Sequence, residues 1–180
     1  VIVTKNNLVK LHHTTLPSRI RNYYYTRTKG ADGVPWLRID MLPAAQLARP
    51  RVLVNGAFDL LTASHMRLLS VARDKAGPTG TVLIALDSDE KVAKAKGASR
   101  PVMTFIERAT TLGYMPIDAL VEVGSDEDMR RLVATLAPDL RVQGAEYAGH
   151  ATRFPHVCRC FVPDTGLHTS DIIARIRQQS

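Results

Sequence analysis

The chain is 180 residues long, 45% hydrophobic, 23% charged and 6% aromatic, the make-up of a soluble globular protein with one ordinary domain and room for an extension. Collagen-like, disordered and disulfide-framework classes are excluded, and no apolar run approaches the roughly 18 to 20 residues that span a bilayer. Residues 1 to 30 lack the apolar stretch of a secretory signal, so a cytoplasmic, reducing compartment is expected. The formal net charge is +7, but residues 1 to 49 carry +6 of it from eight bases and two acids, while the rest of the chain is almost balanced. Arm and body therefore need separate explanations.

The arm, residues 1 to 49, shows no sustained period of two or 3.6 and is expected to be irregular. It sets Tyr23-Tyr24-Tyr25 among Arg19, Arg21 and Arg27, then passes through Lys29-Gly30-Ala31-Asp32-Gly33 to Pro35-Trp36. Interleaved bases and rings suit single-stranded nucleic acid, the bases for phosphates and the rings for stacking. The same residues suit an extension packed on its own domain or on a neighbouring subunit with the bases solvated, and that reading is preferred over a nucleic-acid partner because no binding fold accompanies them.

From residue 50 to 180 the pattern becomes an alternation of short apolar runs and amphipathic stretches. Arg51-Val52-Leu53-Val54 reads as a strand, and Ser64 to Lys75 as a helix with Met66, Leu69, Val71 and Ala72 inward. A second strand follows over Thr81 to Leu86. Helices are expected over Ser88 to Lys94 and over Thr104 to Gly113, the latter opened by a Thr104-x-x-Glu107 capping box. Ala119 to Val123 is a third strand, and Ser125 to Leu136 a helix with three acids in its first turn. Leu140-Arg141-Val142 and Val157 to Val162 give two further strands, and Thr169 to Gln178 a closing helix. The alternation predicts an α/β fold, a Rossmann-like five-stranded parallel sheet with helices on both faces, whose ligand sits beyond the strand carboxyl ends where the winding reverses.

Cys158 and Cys160 fall on one face of a strand, where a disulfide between them would be strained, and no further ligands stand at metal-binding spacing. Buried reduced thiols are expected, with no metal held by the protein's own side chains. Asp87 and Asp89, at a strand end, are read as starting the next helix rather than supporting Mg²⁺. The pair His12-His13, with His150 and His156, shows no informative spacing.

The first strand runs into Asn55-Gly56-Ala57-Phe58-Asp59-Leu60-Leu61-Thr62-Ala63-Ser64-His65, a glycine turn followed by a helix start. Unpaired amides and the positive end of the helix dipole make such a place a ready anion site.

These residues resemble the cytidylyltransferase-like nucleotidyltransferases, whose signature is Gly-x-Phe-Asp followed by His-x-Gly-His. The resemblance runs on through Ala85 to Asp89, Lys96 to Val102, Glu107-Arg108, Pro138 to Tyr147 and Gly166 to Ile173, covering nearly all of residues 51 to 177. Within the family the sequence is most similar to the heptose-phosphate adenylyltransferases and next to the glycerol-3-phosphate cytidylyltransferases. It implies transfer of a nucleoside monophosphate from ATP, favoured over CTP, to a small phosphorylated sugar or polyol, with Mg²⁺ and release of pyrophosphate; dimers are also implied. By position, Gly56, Ala57 and Phe58 would receive the triphosphate, His65 would contact phosphates, Lys96 would be a mobile-loop cation with Arg100 near it, Gly144, Glu146 and Tyr147 would line the nucleotide pocket, and Thr169 and Ser170 would start a second phosphate-binding helix. Thr62, a candidate catalytic residue, stands where the family has its first histidine, Ser64 where it has glycine, Gln143 where it has lysine, and Ala145 where it has glycine. A second reading follows from those departures: a nucleotidyltransferase fold kept as a structural module in a larger assembly and anchored by the arm.

Overall fold

The computed structural model describes residues 44–166 and 168–179, together with Ile39, Leu42 and four short strand segments nearer the N-terminus. Those segments, β1 (Ile2–Val3), β2 (Leu8–Lys10), β3 (Tyr24–Arg27) and β4 (Pro35–Trp36), pair antiparallel in the order β1-β2-β3-β4. The arm thus contains regular pairing that strands of two to four residues are too short to announce as a sequence period. The stacking surface expected from Tyr23-Tyr24-Tyr25 with Arg19 and Arg21 lies outside the described side chains.

In the body, β5 (Arg51–Gly56), α1 (Ala63–Ala76), β6 (Thr81–Asp87), α2 (Asp89–Lys96), α3 (Phe105–Gly113), β7 (Ala119–Val123), α4 (Asp126–Leu136), β8 (Leu140–Gly144), β9 (Cys158–Val162) and α5 (Thr169–Gln179) follow in order. The five strands form one parallel sheet, β7-β6-β5-β8-β9, as the alternation predicts. Because strand side chains alternate between faces, Val52, Val54, Val82 and Ile84 meet Leu69 and Ala72 of α1 and Ala109 and Leu112 of α3 on one side. Leu53, Leu83, Ala85 and Val121 meet Met129, Leu132, Val133 and Leu136 of α4 on the other. On α1, Leu69 and Ala72 are buried as expected and Ala76 joins them, while Met66 and Val71 are only partly buried against the same core.

The helix ends follow local chemistry. Thr104 and Glu107 form the expected capping box, with Glu107 Oε2 accepting from the Thr104 amide at 2.8 Å. Ser88 and Ser125 cap α2 and α4 by accepting from the amides of Lys91 and Asp128. At the far end of α4, Arg51 donates to the Leu136 carbonyl at 2.7 Å and Arg49 to that of Ala137, cations at the negative end of the helix. Arg49 also ion-pairs with Asp139, so one of the arm's eight bases is engaged in closing the body.

Body packing begins ahead of Pro50: Ile39 and Leu42 are buried among the α4-side core residues, and Leu47 packs against them. The expected burial of both cysteines is corrected. Cys158 is exposed and Cys160 intermediate, both as free thiols, because β9 is an edge strand that buries fully only at its carboxyl end, Val162. No helix among the described residues is long and apolar enough to cross a membrane.

Candidate active site

A cleft of about 380 Å³ opens at the carboxyl ends of β5 and β8. Chain winding reverses between these two strands, since α1 and α3 cover one face of the sheet and α4 the other; parallel sheets bind ligands at such a point. The twelve residues expected at the site, Gly56, Ala57, Phe58, Thr62, His65, Lys96, Arg100, Gly144, Glu146, Tyr147, Thr169 and Ser170, all line this cleft. Asn55, Asp59, Gln143, Asp164 and His168 line it as well.

The loop from β5 to α1 forms the floor. Phe58 and Leu60 take left-handed backbone angles, φ 48° and 55°, a conformation that costs a non-glycine residue about 1–3 kcal/mol and persists only where the surroundings fix it. Asp59, between them, supplies the fixing. It is 1% exposed and its carboxylate accepts from Arg100 Nε at 2.7 Å and from the Val102 and Met103 amides at 3.0 Å. Burial alone would raise its pKa, but these donors prevail and hold it below the usual carboxylate range. From the other side, Thr169 Oγ1 donates to the Asp59 carbonyl at 2.6 Å. The Thr169 hydroxyl hydrogen is thus committed to the loop, and Ser170 is the neighbouring cleft hydroxyl on α5.

His65 stands in the first turn of α1. Its Nδ1 accepts from the Thr62 amide at 3.1 Å, so the neutral ring carries its proton on Nε2, which becomes a donor. Desolvation and then the charge of Lys96 draw its pKa below the ordinary histidine value, with Asp59 opposing. Thr62 is 5% exposed and its Oγ1 lies 3.0 Å from His65 Nδ1, so threonine at this position orients the remaining histidine. Ser64 donates to Asp164 Oδ1 at 2.8 Å, and Asp164 Oδ2 lies 2.9 Å from His168 Nε2. The side chain at the position of the family's glycine therefore ties the start of α1 to the β9–α5 loop.

The cationic wall comes from the segment after β6. Desolvation and then Arg100 lower the Lys96 pKa, Asp59 and Asp87 opposing. Arg100 spends Nε on Asp59 and leaves Nη2 buried without a protein partner. The facing wall, at the end of β8, carries acceptors. Gln143 is 8% exposed with Oε1 unpartnered, and the Glu146 carboxylate folds back over Gly144 into the space a Cβ there would occupy. Burial and then the charge of Glu146 raise the Tyr147 pKa, keeping it a phenol.

One residue with no assigned role in the sequence holds this frame together. Arg108 on α3 is 1% exposed; its guanidinium donates to the carbonyls of Ala57, Asp87 and Met103 and pairs with Asp89 at 2.7 Å. It thereby locks the carboxyl ends of β5 and β6 together. Asp89 also accepts from the Phe105 amide at 3.0 Å, and Asp87 Oδ1 meets Lys91 Nζ at 2.7 Å as an ion pair whose angles miss hydrogen-bond geometry. With Asp59 and Asp164 engaged as well, the aspartates around the cleft are committed, and no group of three or more metal-ligating side chains occurs among the described residues. The donor set of the described residues does not fit a resident metal centre.

Residues 53–158, more than half of the chain, match the family model described as cytidylyltransferase-like. The chain belongs to that family. It is 33% identical over 178 residues to the bifunctional protein HldE of Aeromonas hydrophila, the match covering 92% of this chain and 36% of that protein. It is 34% identical over 149 residues to HldE of Psychromonas ingrahamii, covering 76% and 30%. This chain thus spans about a third of the length of these relatives. Among solved structures, a lipopolysaccharide core biosynthesis protein from Thermoplasma volcanium aligns over 72% of this chain and 87% of its own, at 18% identity and TM-score 0.44.

Among the cleft residues of this family member, Asp59 stands in the signature segment and His168 in the Gly166 to Ile173 segment with no role implied for either, and Asp164 lies outside every motif segment. Ser64 and Asp164 are a hundred residues apart, and only the parallel sheet brings their segments together.

Proposed function

We propose that the cleft transfers a nucleoside monophosphate from ATP, or less favourably CTP, to a small phosphorylated sugar or polyol. An oxygen of the acceptor phosphate forms a new bond to the α-phosphorus as the bond from that phosphorus to the bridging oxygen breaks, and the electron pair leaves with pyrophosphate. The triphosphate enters as its magnesium complex, which supplies charge neutralisation; the chain supplies position and further charge. Lys96 and Arg100 Nη2 meet phosphate oxygens from one side, and the His65 Nε2–H and the first amides of α1 from another. Asp59 aims Arg100, and Thr62 holds the His65 ring. Gly56, Ala57 and Phe58 shape the turn beneath the phosphates, while Ser170 at the start of α5 and the Gly144, Glu146 and Tyr147 segment border the nucleoside and acceptor.

The observation that carries this reading is the convergence, at the switch point of the sheet, of a buried unpaired guanidinium nitrogen, a lysine and a helix start with no acid in its first turn. Its test is pyrophosphate release from ATP and CTP with Mg²⁺ against a panel of sugar and polyol phosphates that includes a heptose phosphate and glycerol 3-phosphate. Release that depends on one acceptor supports the reading; no release above the buffer rate with any pair removes it.

A further inference from the structure

Two buried polar groups in the cleft lack a protein partner, and they differ in hydrogen-bonding sense. Arg100 Nη2, from the segment between α2 and α3, is a donor; Gln143 Oε1, at the end of β8, is an acceptor. Arg100 lies in the chain beyond β6 and is held by Asp59 of the β5–α1 loop, whereas Gln143 ends β8, on the other side of β5. An anionic oxygen satisfies Arg100. It does not satisfy Gln143, whose amide oxygen needs an N–H or O–H.

The surroundings of Gln143 point the same way. Glu146 places its carboxylate over Gly144, the next residue along, and Tyr147 follows in the same cleft wall. Arg141, two positions earlier on the same face of β8, gives Nε and Nη2 to Asn55 Oδ1 at 3.1 and 2.6 Å and lies over the Phe154 ring. A phosphate at this wall would meet the Glu146 carboxylate and the Gln143 amide oxygen, both repulsive to it, while the Arg141 cation is held by Asn55 and is not part of the cleft lining. A buried amide oxygen without a protein partner is unfavourable in the free protein, and a ligand that presents a donor there completes it.

We infer that Gln143, with Glu146 beside it, reads a hydrogen-bond donor on the substrate, making this wall selective for a neutral, donor-bearing part and against phosphate. The inference rests on the nucleotidyltransferase reading and adds to it the polarity of the cleft: phosphates toward Lys96 and Arg100, donors toward Gln143. Two substrate parts share this chemistry, the exocyclic amino group of an adenine or cytosine base and a hydroxyl of a sugar or polyol acceptor.

Gln143→Leu tests it in three measurements. In the ligand-free protein the substitution removes an unpartnered polar group at similar volume, and Tm rises by about 2–4 °C; a fall in Tm would mean that the amide is already satisfied, and overturns the inference. Binding of ATP against ITP and of CTP against UTP, each with Mg²⁺, then reads the base, since the second of each pair presents a carbonyl where the first presents an amino group. If the base is the donor, the natural protein prefers the amino form by at least about tenfold and Gln143→Leu brings the pair within about twofold. If the acceptor is the donor, nucleotide preference is unchanged and KM for the phosphorylated acceptor rises about tenfold with kcat nearly constant. Unchanged nucleotide preference together with unchanged acceptor KM overturns the inference while leaving the nucleotidyltransferase reading intact. A natural protein that binds none of the four triphosphates overturns that reading, and the donor assignment with it.

Discussion

Glu122 on β7 shows how the sheet's carboxyl edge stores electrostatic tension outside the cleft. Burial, reinforced by Glu90 and Asp89 and then Asp128, pushes its carboxyl up to about 7, with Arg108 opposing. The folded protein thus holds this proton more tightly than the unfolded chain, whose carboxyl titrates near 4.5. The favourable contribution is complete below pH 4.5 and is lost as pH rises through 7. Glu122→Gln is expected to stabilise the protein by about 1–3 kcal/mol at pH 8, with the advantage shrinking toward pH 4.5, as measured by urea unfolding at both ends; an advantage independent of pH contradicts this account. At His65 the expected outcome concerns rate. Removing a single group that stabilises developing charge lowers kcat on the order of a hundredfold to a thousandfold, so His65→Ala should do so in the pyrophosphate assay while far-UV circular dichroism stays unchanged. A loss of less than about threefold would place the ring outside the phosphate path.

Among the elements, α3 does more than cover the sheet, because Arg108 delivers a fully buried guanidinium to the ends of two strands and to the segment before α3. Arg108→Met is expected to cost about 3–5 kcal/mol, the penalty of stranding buried partners, and Arg108→Lys to recover less than half of it, since one ammonium cannot reach all four acceptors. Chemical denaturation of the two variants checks the order. Arg108 also marks where the sequence stops being legible. Strand positions were readable in β5, β6 and β7 because short runs rich in Val, Leu and Ile suit a sheet covered on both faces, with Glu122 the one charged residue inside them. The Thr104 and Glu107 cap was readable because its partners are three residues apart. An arginine in a helix reads as solvated until its neighbours in space are known, and the Ser64 to Asp164 tie and the Asp59 bracket likewise depend on segments that meet only through the fold. β9 misled for a related reason: its apolar and cysteine residues suggested burial, but an edge position leaves Cys158 exposed. The cleft residues were legible as a set through the family resemblance, which carries them over by position; most of them fall at strand ends and helix starts, the places a parallel sheet brings together.

For the whole molecule, the +7 charge resolves into an arm and a body whose packing overlaps. Ile39 and Leu42 belong to the α4-side core and Arg49 closes the α4 end. A chain starting at residue 39 keeps Ile39, Leu42 and Arg49. A chain starting at residue 50 loses two buried aliphatic side chains worth about 1.5–3 kcal/mol each, and its Tm falls accordingly. Equal Tm values for the two would show that the core begins at Pro50. The body carries almost no net charge of its own, so the proposed anion binding rests on placed groups: two cations, a neutral imidazole and two helix starts around one cleft. Titration calorimetry of the natural chain with ATP and with CTP, at millimolar nucleotide and with Mg²⁺, tests that claim most directly. The account predicts saturable one-site heat that weakens when Arg100 is replaced by methionine; absence of heat and of any thermal stabilisation with both nucleotides would contradict it.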